Sequence, residues 1–180
     1  MTEPWISRVS LLREWMALAD LNARHRDDLE AEGVTREAIH VAGGLAWARI
    51  APAGRTFIRS DAGKIHLIQP VWNGPAPSIY EAVEDPILMD LIAWRLDDPT
   101  TWFYRVSAQG AVLGSEALDS AHAEGTAIVL HTTPLAWLQS GCRGSVLLEE
   151  CEAAWRAQKE ADRDADNALA WGGNAAREAK

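Results

Sequence analysis

Arg55-Thr56-Phe57-Ile58-Arg59-Ser60-Asp61-Ala62-Gly63-Lys64-Ile65-His66-Leu67-Ile68-Gln69-Pro70-Val71-Trp72 is the stretch on which the reading of the fold turns. Arg55–Ser60 and Lys64–Trp72 each alternate polar and apolar residues and carry β-favouring types. Asp61-Ala62-Gly63 between them has the length and chemistry of a hairpin loop. In the first run Thr56 and Ile58 share one face and Phe57 and Arg59 the other. In the second, Ile65, Leu67 and Gln69 oppose Lys64, His66 and Ile68. Neither face is cleanly polar, so the expected sheet needs cover on both sides, and a lone hairpin would be marginal.

Upstream, Leu45–Ile50 reads as a further strand and Pro52-Ala53-Gly54 as a turn, which together predict a three-strand antiparallel meander. Before it, Trp5, Val9, Leu12, Met16 and Ala19, widened by Ile6, Trp15 and Leu18, predict one amphipathic helix from Trp5 to Glu30. Gly33 ends it, and Thr35 caps a short helix that stops at Gly43-Gly44.

Downstream, Asn73-Gly74-Pro75-Ala76-Pro77 is a loop and Asp85-Pro86 has the form of a helix start. Ile87, Leu88, Leu91 and Ile92 then favour a helix to about Trp94, although Leu91–Leu96 also reads as strand. Thr101–Val106, Ala111-Val112-Leu113, Thr126–His131 and Ser145–Leu148 are strand-like. Ser115–Glu124, closed by Gly125, and Pro134–Leu138, capped by Thr133 and closed by Gly141, are helical. Glu149–Ala170 has high helix propensity and little apolar surface past Trp155. The expectation is one α+β domain over 1–158, an antiparallel sheet built on the meander and covered by helices, followed by a polar C-terminal helix or tail over 159–180.

At 180 residues, a chain can bury roughly 70% of its unfolded surface and hold a core without disulfides or metals. The two cysteines, Cys142 and Cys151, make neither a disulfide framework nor a four-ligand zinc site. With no leader-like start and no long apolar run, the expected location is cytoplasmic, with no membrane contact.

The net charge of −9 is uneven. Glu81, Glu84, Asp85, Asp90, Asp97 and Asp98 stand against Arg95 alone between positions 81 and 98. Binding to a nucleic-acid backbone needs clustered lysine and arginine, which this pattern lacks. An acidic surface steers toward basic partners.

The search for chemistry finds candidates without a recognisable constellation. Ser145 precedes a strand, whereas a nucleophile elbow sets its serine between strand and helix. Gly141-Cys142-Arg143-Gly144 can form an anion-binding nest, or a plain turn. His66 and His131, both on expected strands, could meet Asp61 and Asp90 as an acid-base or metal site. The nine tryptophans suit packing and interfaces alike, and Trp72 and Trp102 are expected nearest a surface groove.

Gln69-Pro70-Val71-Trp72, Asp90-Leu91-Ile92-Ala93-Trp94 and Pro134-Leu135-Ala136-Trp137-Leu138-Gln139-Ser140-Gly141 resemble runs in uncharacterised proteins of proteobacterial phages and mobile elements, over roughly residues 33–148. The resemblance implies an accessory gene product and brings no catalytic residues.

The leading expectation is a non-catalytic interaction protein, without cofactor or metal, that engages a basic protein surface through Glu81, Glu84, Asp90, Asp97, Asp98, Trp72 and Trp102. A small hydrolase using His66, His131, Asp61 and Asp90, or a tryptophan-lined ligand-binding domain, are the alternatives. Self-association through the C-terminal helix is a further expectation.

Overall fold

The computed structural model describes residues 8–74, 87–106 and 112–148. Its helices are α1 (Arg8–Met16), α2 (Ala23–Ala31), α3 (Arg36–Val41), α4 (Ser115–Glu124) and α5 (Pro134–Gln139). Its strands are β1 (Ala19–Asp20), β2 (Ala46–Ala53), β3 (Thr56–Arg59), β4 (Lys64–Asn73), β5 (Ile87–Arg95), β6 (Asp98–Tyr104), β7 (Val112–Leu113), β8 (Leu130–His131) and β9 (Ser145–Leu147).

β4 organises the molecule because it is buried on both faces from His66 to Trp72. Alternate residues of a strand point to opposite sides, and those of β4 and β5 sort accordingly. Ile68, Trp72, Leu91 and Ala93 join one apolar cluster with Ala46, Ala48, Ile50 and Phe57. Leu67, Val71, Ile92 and Trp94 join another with residues of α2, α3, α5 and β9.

The pairing explains the two clusters. β2, β3, β6, β5 and β4 neighbour one another in that order, and β4 pairs back onto β2, which closes a five-stranded barrel. The first cluster draws on β2, β3, β4 and β5, with Phe103 of β6 packed against it, and so fills the lumen. α1 sits at one end of it, with Leu11 buried in the lumen cluster and Trp15 and Leu18 packed against it. The second cluster lies between the outer barrel wall and a smaller sheet in which β9 pairs antiparallel with β7 and parallel with β8. The Nε1 of Trp102 donates to the carbonyl of Leu148 at 3.2 Å, and the Tyr104 hydroxyl donates to the same oxygen, tying the smaller sheet to β6.

Within this frame a buried proline is tolerated. Pro70 lies beyond Ile68, the last β4 residue paired with β2, and just before the irregularity at Val71/Trp72. Its missing N–H therefore falls where a ladder is already interrupted.

The expected meander is replaced by a different connection. β3 and β4 do not pair with each other in it. Each pairs antiparallel with β2, from Ala53↔Thr56 to Ile50↔Arg59 on one edge and from Ile50↔Lys64 to Ala46↔Ile68 on the other. Residues 60–63 carry the chain across β2. Ser60 N donates to Arg49 O at 3.0 Å, and Arg49 Nη1 donates to Gly63 O at 3.0 Å. The eight residues of β2 offer one half to each neighbour, which lets Phe57 and Ile68 enter the same lumen.

The helix expected to about Trp94 is strand β5. Leu88, Leu91, Ile92, Ala93 and Trp94 are all buried, and a strand covered on both faces reads as a continuous apolar run that periodicity cannot tell from a helix. Asp85-Pro86 lies outside the described residues. The single helix expected over Trp5–Glu30 is broken into α1, β1 and α2. The break is local: the Asn22 side chain accepts from His25 N at 2.9 Å and starts a new helix. Of the run Thr126–His131 only Leu130–His131 is strand.

Other local readings agree with the structure. Thr35 and Thr133 accept from Ala38 N and Ala136 N, and Gly125 closes α4 at φ 63°. The domain is α+β and sheet-rich, and the C-terminal helix or tail lies outside the described residues. No described helix is long and apolar enough to cross a membrane.

Candidate functional site

A cleft of about 410 Å³ opens between the barrel wall and the smaller sheet. Trp72 reaches it from the end of β4, Trp137 from α5, Glu116 from the first turn of α4, and Arg143 from the turn before β9. The backbones of Gly114 and Gly144 complete the wall.

Each part is placed by local chemistry. Trp72 sits past the β4 irregularity, and its carbonyl accepts from Ser115 Oγ at 3.3 Å, while that hydroxyl accepts from Gly74 N at 3.1 Å. These bonds hold the start of α4 against the end of β4. Trp137 Nε1 donates to Gly144 O at 2.9 Å, and Ser145 Oγ donates to Gly114 O at 2.6 Å, fixing both glycine backbones. Glu116 and Arg143 form no ion pair with any described side chain, so opposite charges are offered to the same space. Trp72 is buried and its Nε1 has no hydrogen-bond partner among the described residues.

The turn bearing Arg143 is self-satisfied. Gly141 N donates to Leu138 O, Cys142 N to Trp137 O, and Arg143 N to Ser140 Oγ. Ser145 N donates to Val129 O. An anion nest needs such N–H groups free, so this run is a plain turn. Cys142 takes φ 62° within it, and its thiol donates to Ala38 O at 3.2 Å. Burial pushes that thiol up to about 12.

The residues expected to form one acidic recognition face are divided. Glu81 and Glu84 lie outside the described residues. Asp90 is fully buried, and its Oδ1 accepts from the N–H groups of Leu91, Arg105 and Val106 at 2.7, 3.1 and 3.0 Å. It pins β5 to the chain leaving β6. Asp97 and Asp98 are exposed at the β5–β6 turn. Asp97 pairs with Arg95, and hydrogen bonds from Thr100 and Thr101 hold the Asp98 carboxyl below its usual range. Asp90 lies within β5, whereas Asp97 lies beyond its end at Arg95, so the two are separated by most of the remaining strand, roughly 17 Å at strand rise. Trp72 pairs with Leu88 and so belongs to the Asp90 end. Trp102 spends its N–H on Tyr104 and Leu148.

The histidine-carboxylate group does not assemble. His66 Nδ1 is bonded to Lys64 O at 3.0 Å in the barrel, whereas His131 Nε2 is bonded to Arg143 O at 2.7 Å in the smaller sheet. Asp61 is exposed on the crossing over β2 and Asp90 is occupied as above. Among the described residues no group of three or more His, Cys, Asp or Glu side chains is placed to hold a metal.

Sequence reasoning placed Trp72 near a groove, took Arg143 only as part of a possible anion nest, and assigned Trp137 to core packing and Glu116 to no site. The available signal was the recurrence of glycine beside them, at Gly114 and Gly144. No protein-family model, curated protein or solved structure matches the chain.

Proposed function

We propose that this protein is a binding module whose inter-sheet cleft receives a small zwitterionic ligand of amino-acid size. The observation that carries the reading is the pairing of two indoles, Trp72 and Trp137, with a carboxylate and a guanidinium, Glu116 and Arg143, that make no ion pair among the described residues, around one cleft of about 410 Å³. Pockets that fix a small ligand combine apolar walls with a few convergent polar groups. Glu116 would meet an ammonium group, Arg143 a carboxylate in the bidentate geometry that arginine favours, and the tryptophans the ligand's apolar part.

The test is calorimetric titration with the twenty free amino acids. At least one should bind, and Glu116→Gln and Arg143→Gln should each weaken it by about tenfold, as expected for a lost charge-assisted hydrogen bond. Silence across the whole panel would end this reading.

A second reading is supported by the exposed acidic pair at the β5–β6 turn: an acidic interaction protein, in the setting of a cytoplasmic phage or mobile-element accessory factor, that engages a basic protein surface through Asp97 and Asp98. Affinity for such a partner should fall with added salt and with Asp97→Lys or Asp98→Lys. A captured partner indifferent to both treatments removes the acidic turn from the interface.

A further inference from the structure

The barrel has a second opening. Ile50 and Ile68 face the lumen, and stepping two residues at a time along β2 and β4 reaches Pro52, His66 and Lys64, while Arg95 follows the irregularity near the end of β5. These residues, with Phe103, Thr101 and Asp98 of β6, line a cavity of about 420 Å³ at the mouth where β2, β4, β5 and β6 come together. The apolar cluster forms its floor, and charged side chains stand at its rim.

His66 is sunk into the wall and is 5% exposed. Its Nδ1 lies 3.0 Å from the carbonyl of Lys64. A carbonyl can only accept, so Nδ1 carries the proton and the neutral ring presents Nε2 as an acceptor. Nε2 has no protein hydrogen bond among the described residues, and the ring is held edge-on by Phe103 at 6.1 Å between centroids. Burial holds the imidazole below its usual protonation range, with Lys64 and Arg95 acting in the same direction and Asp97 against it. The bond to the Lys64 carbonyl also opposes the shift.

Two cations stand at the rim, Lys64 and Arg95. Lys64 makes no ion pair among the described residues, and Arg95, though paired through Nη2 with Asp97, keeps other donors of its planar fork. Asp98 is the cross-strand neighbour of Arg95 and accepts from Thr100 Oγ1 at 2.8 Å.

We propose that this mouth is a second ligand site, independent of the inter-sheet cleft, for a small aromatic carboxylate that bears a hydroxyl or N–H donor opposite its carboxylate. The donor meets His66 Nε2, the ring lies on Pro52 and against Phe103, and the carboxylate is held by Lys64 and Arg95. A site built around a buried acceptor discriminates strongly against an analogue that lacks the donor, because the acceptor is then desolvated without a partner.

The probe is 4-hydroxybenzoate, titrated into the full chain by calorimetry at pH 7.5. It should bind, and 4-methoxybenzoate, which keeps the ring and carboxylate but lacks the donor, should bind at least about tenfold more weakly. Affinity should fall as the pH is lowered and His66 takes up a proton on Nε2. His66→Phe should abolish binding, His66→Gln should retain part of it through its amide oxygen, and Arg143→Gln should leave it unchanged. The comparison of the two benzoates uses only the native chain and so survives any failure of the variants to fold. No heat from 4-hydroxybenzoate, or equal affinities for the two benzoates, would overturn the assignment.

Discussion

Gly63 lies so tightly against the backbone of Ile50 that a Cβ at position 63 would collide with the Ile50 carbonyl group. This contact is where the chain crosses β2, and glycine is needed for space, since its φ is outside the left-handed range. Gly63→Ala must push residues 60–63 off β2 and strain both of its neighbours. An overpacking cost of about 3 kcal/mol is expected in urea unfolding, against little change for Ala62→Ser at the exposed neighbouring position. A loss below about 1 kcal/mol would mean that the crossing is looser than described.

Asp90 is expected to matter for stability more than either exposed aspartate of the β5–β6 turn. Asp90→Ala removes the acceptor of Val106 N–H and one of the two acceptors of Arg105 N–H, whose other is Leu91 O at 2.9 Å, where the chain leaves β6. The expected loss is about 2–4 kcal/mol, from unsatisfied donors and a cavity together. Asp98→Asn, on an exposed side chain, should leave the urea midpoint nearly unchanged. Equal effects at the two positions would contradict the burial assigned to Asp90.

His66 makes stability depend on pH with a definite sign. Its protonation range is lowered in the folded state by burial, so near and below the ordinary histidine range the unfolded chain binds the proton more readily. Stability is then complete above that range and declines as pH falls through it toward the folded value. The difference in unfolding free energy between native protein and His66→Gln, measured from pH 8 to pH 5, should shrink as the pH falls. A difference that grew toward low pH would reverse the assignment.

Cys142 should be chemically quiet in the folded chain. With its thiol pushed up to about 12 and bonded to Ala38 O, the thiolate that reacts with alkylating agents is scarce near neutral pH. Iodoacetamide labelling at pH 8, read on the Cys142 peptide by mass spectrometry, should be slower than in urea by more than about a hundredfold. Comparable native and denatured rates would show that the Cys142 turn opens freely.

The buried pair Gln69 and Trp94 gives a further test. Trp94 Nε1 donates to Gln69 Oε1 at 3.0 Å, while Gln69 Nε2 has no partner among the described residues. Gln69→Leu orphans the indole N–H, and Trp94→Phe orphans the amide oxygen and leaves a cavity. The double variant removes both halves of the bond and should therefore be less destabilised than the sum of the single changes, by about 1 kcal/mol. Strict additivity would show that the bond contributes nothing.

What could be read from the sequence was set by the range of the interactions. Caps at Thr35 and Thr133 and the stop at Gly125 depend on a few neighbouring residues and were legible. The need for cover on both faces of Lys64–Trp72 was equally plain, and both clusters supply it. The partner of each strand was not legible, because Asp61-Ala62-Gly63 has the same composition whether it turns a hairpin or crosses a third strand. Ile87–Trp94 misled for a related reason: burial on both sides erases the alternation that distinguishes a strand. The acidic positions were visible in the chain, but nothing local said that Asp90 faces inward while Asp97 and Asp98 face out. The cleft and the barrel mouth each depend on residues far apart in sequence, which no spacing rule links.

Ring closure also governs how safely this chain can exist at high concentration. Ile65-His66-Leu67-Ile68-Gln69-Pro70-Val71-Trp72 carries much of its apolar content in one extended piece, the kind that adds to other chains when its backbone donors lie open. Here β2 pairs with it as far as Ile68 and β5 from Leu67 onward, so every part of the run has a strand neighbour. The same arrangement makes the interval before closure the hazardous one, since this segment is unprotected until two sequence-distant neighbours have both arrived.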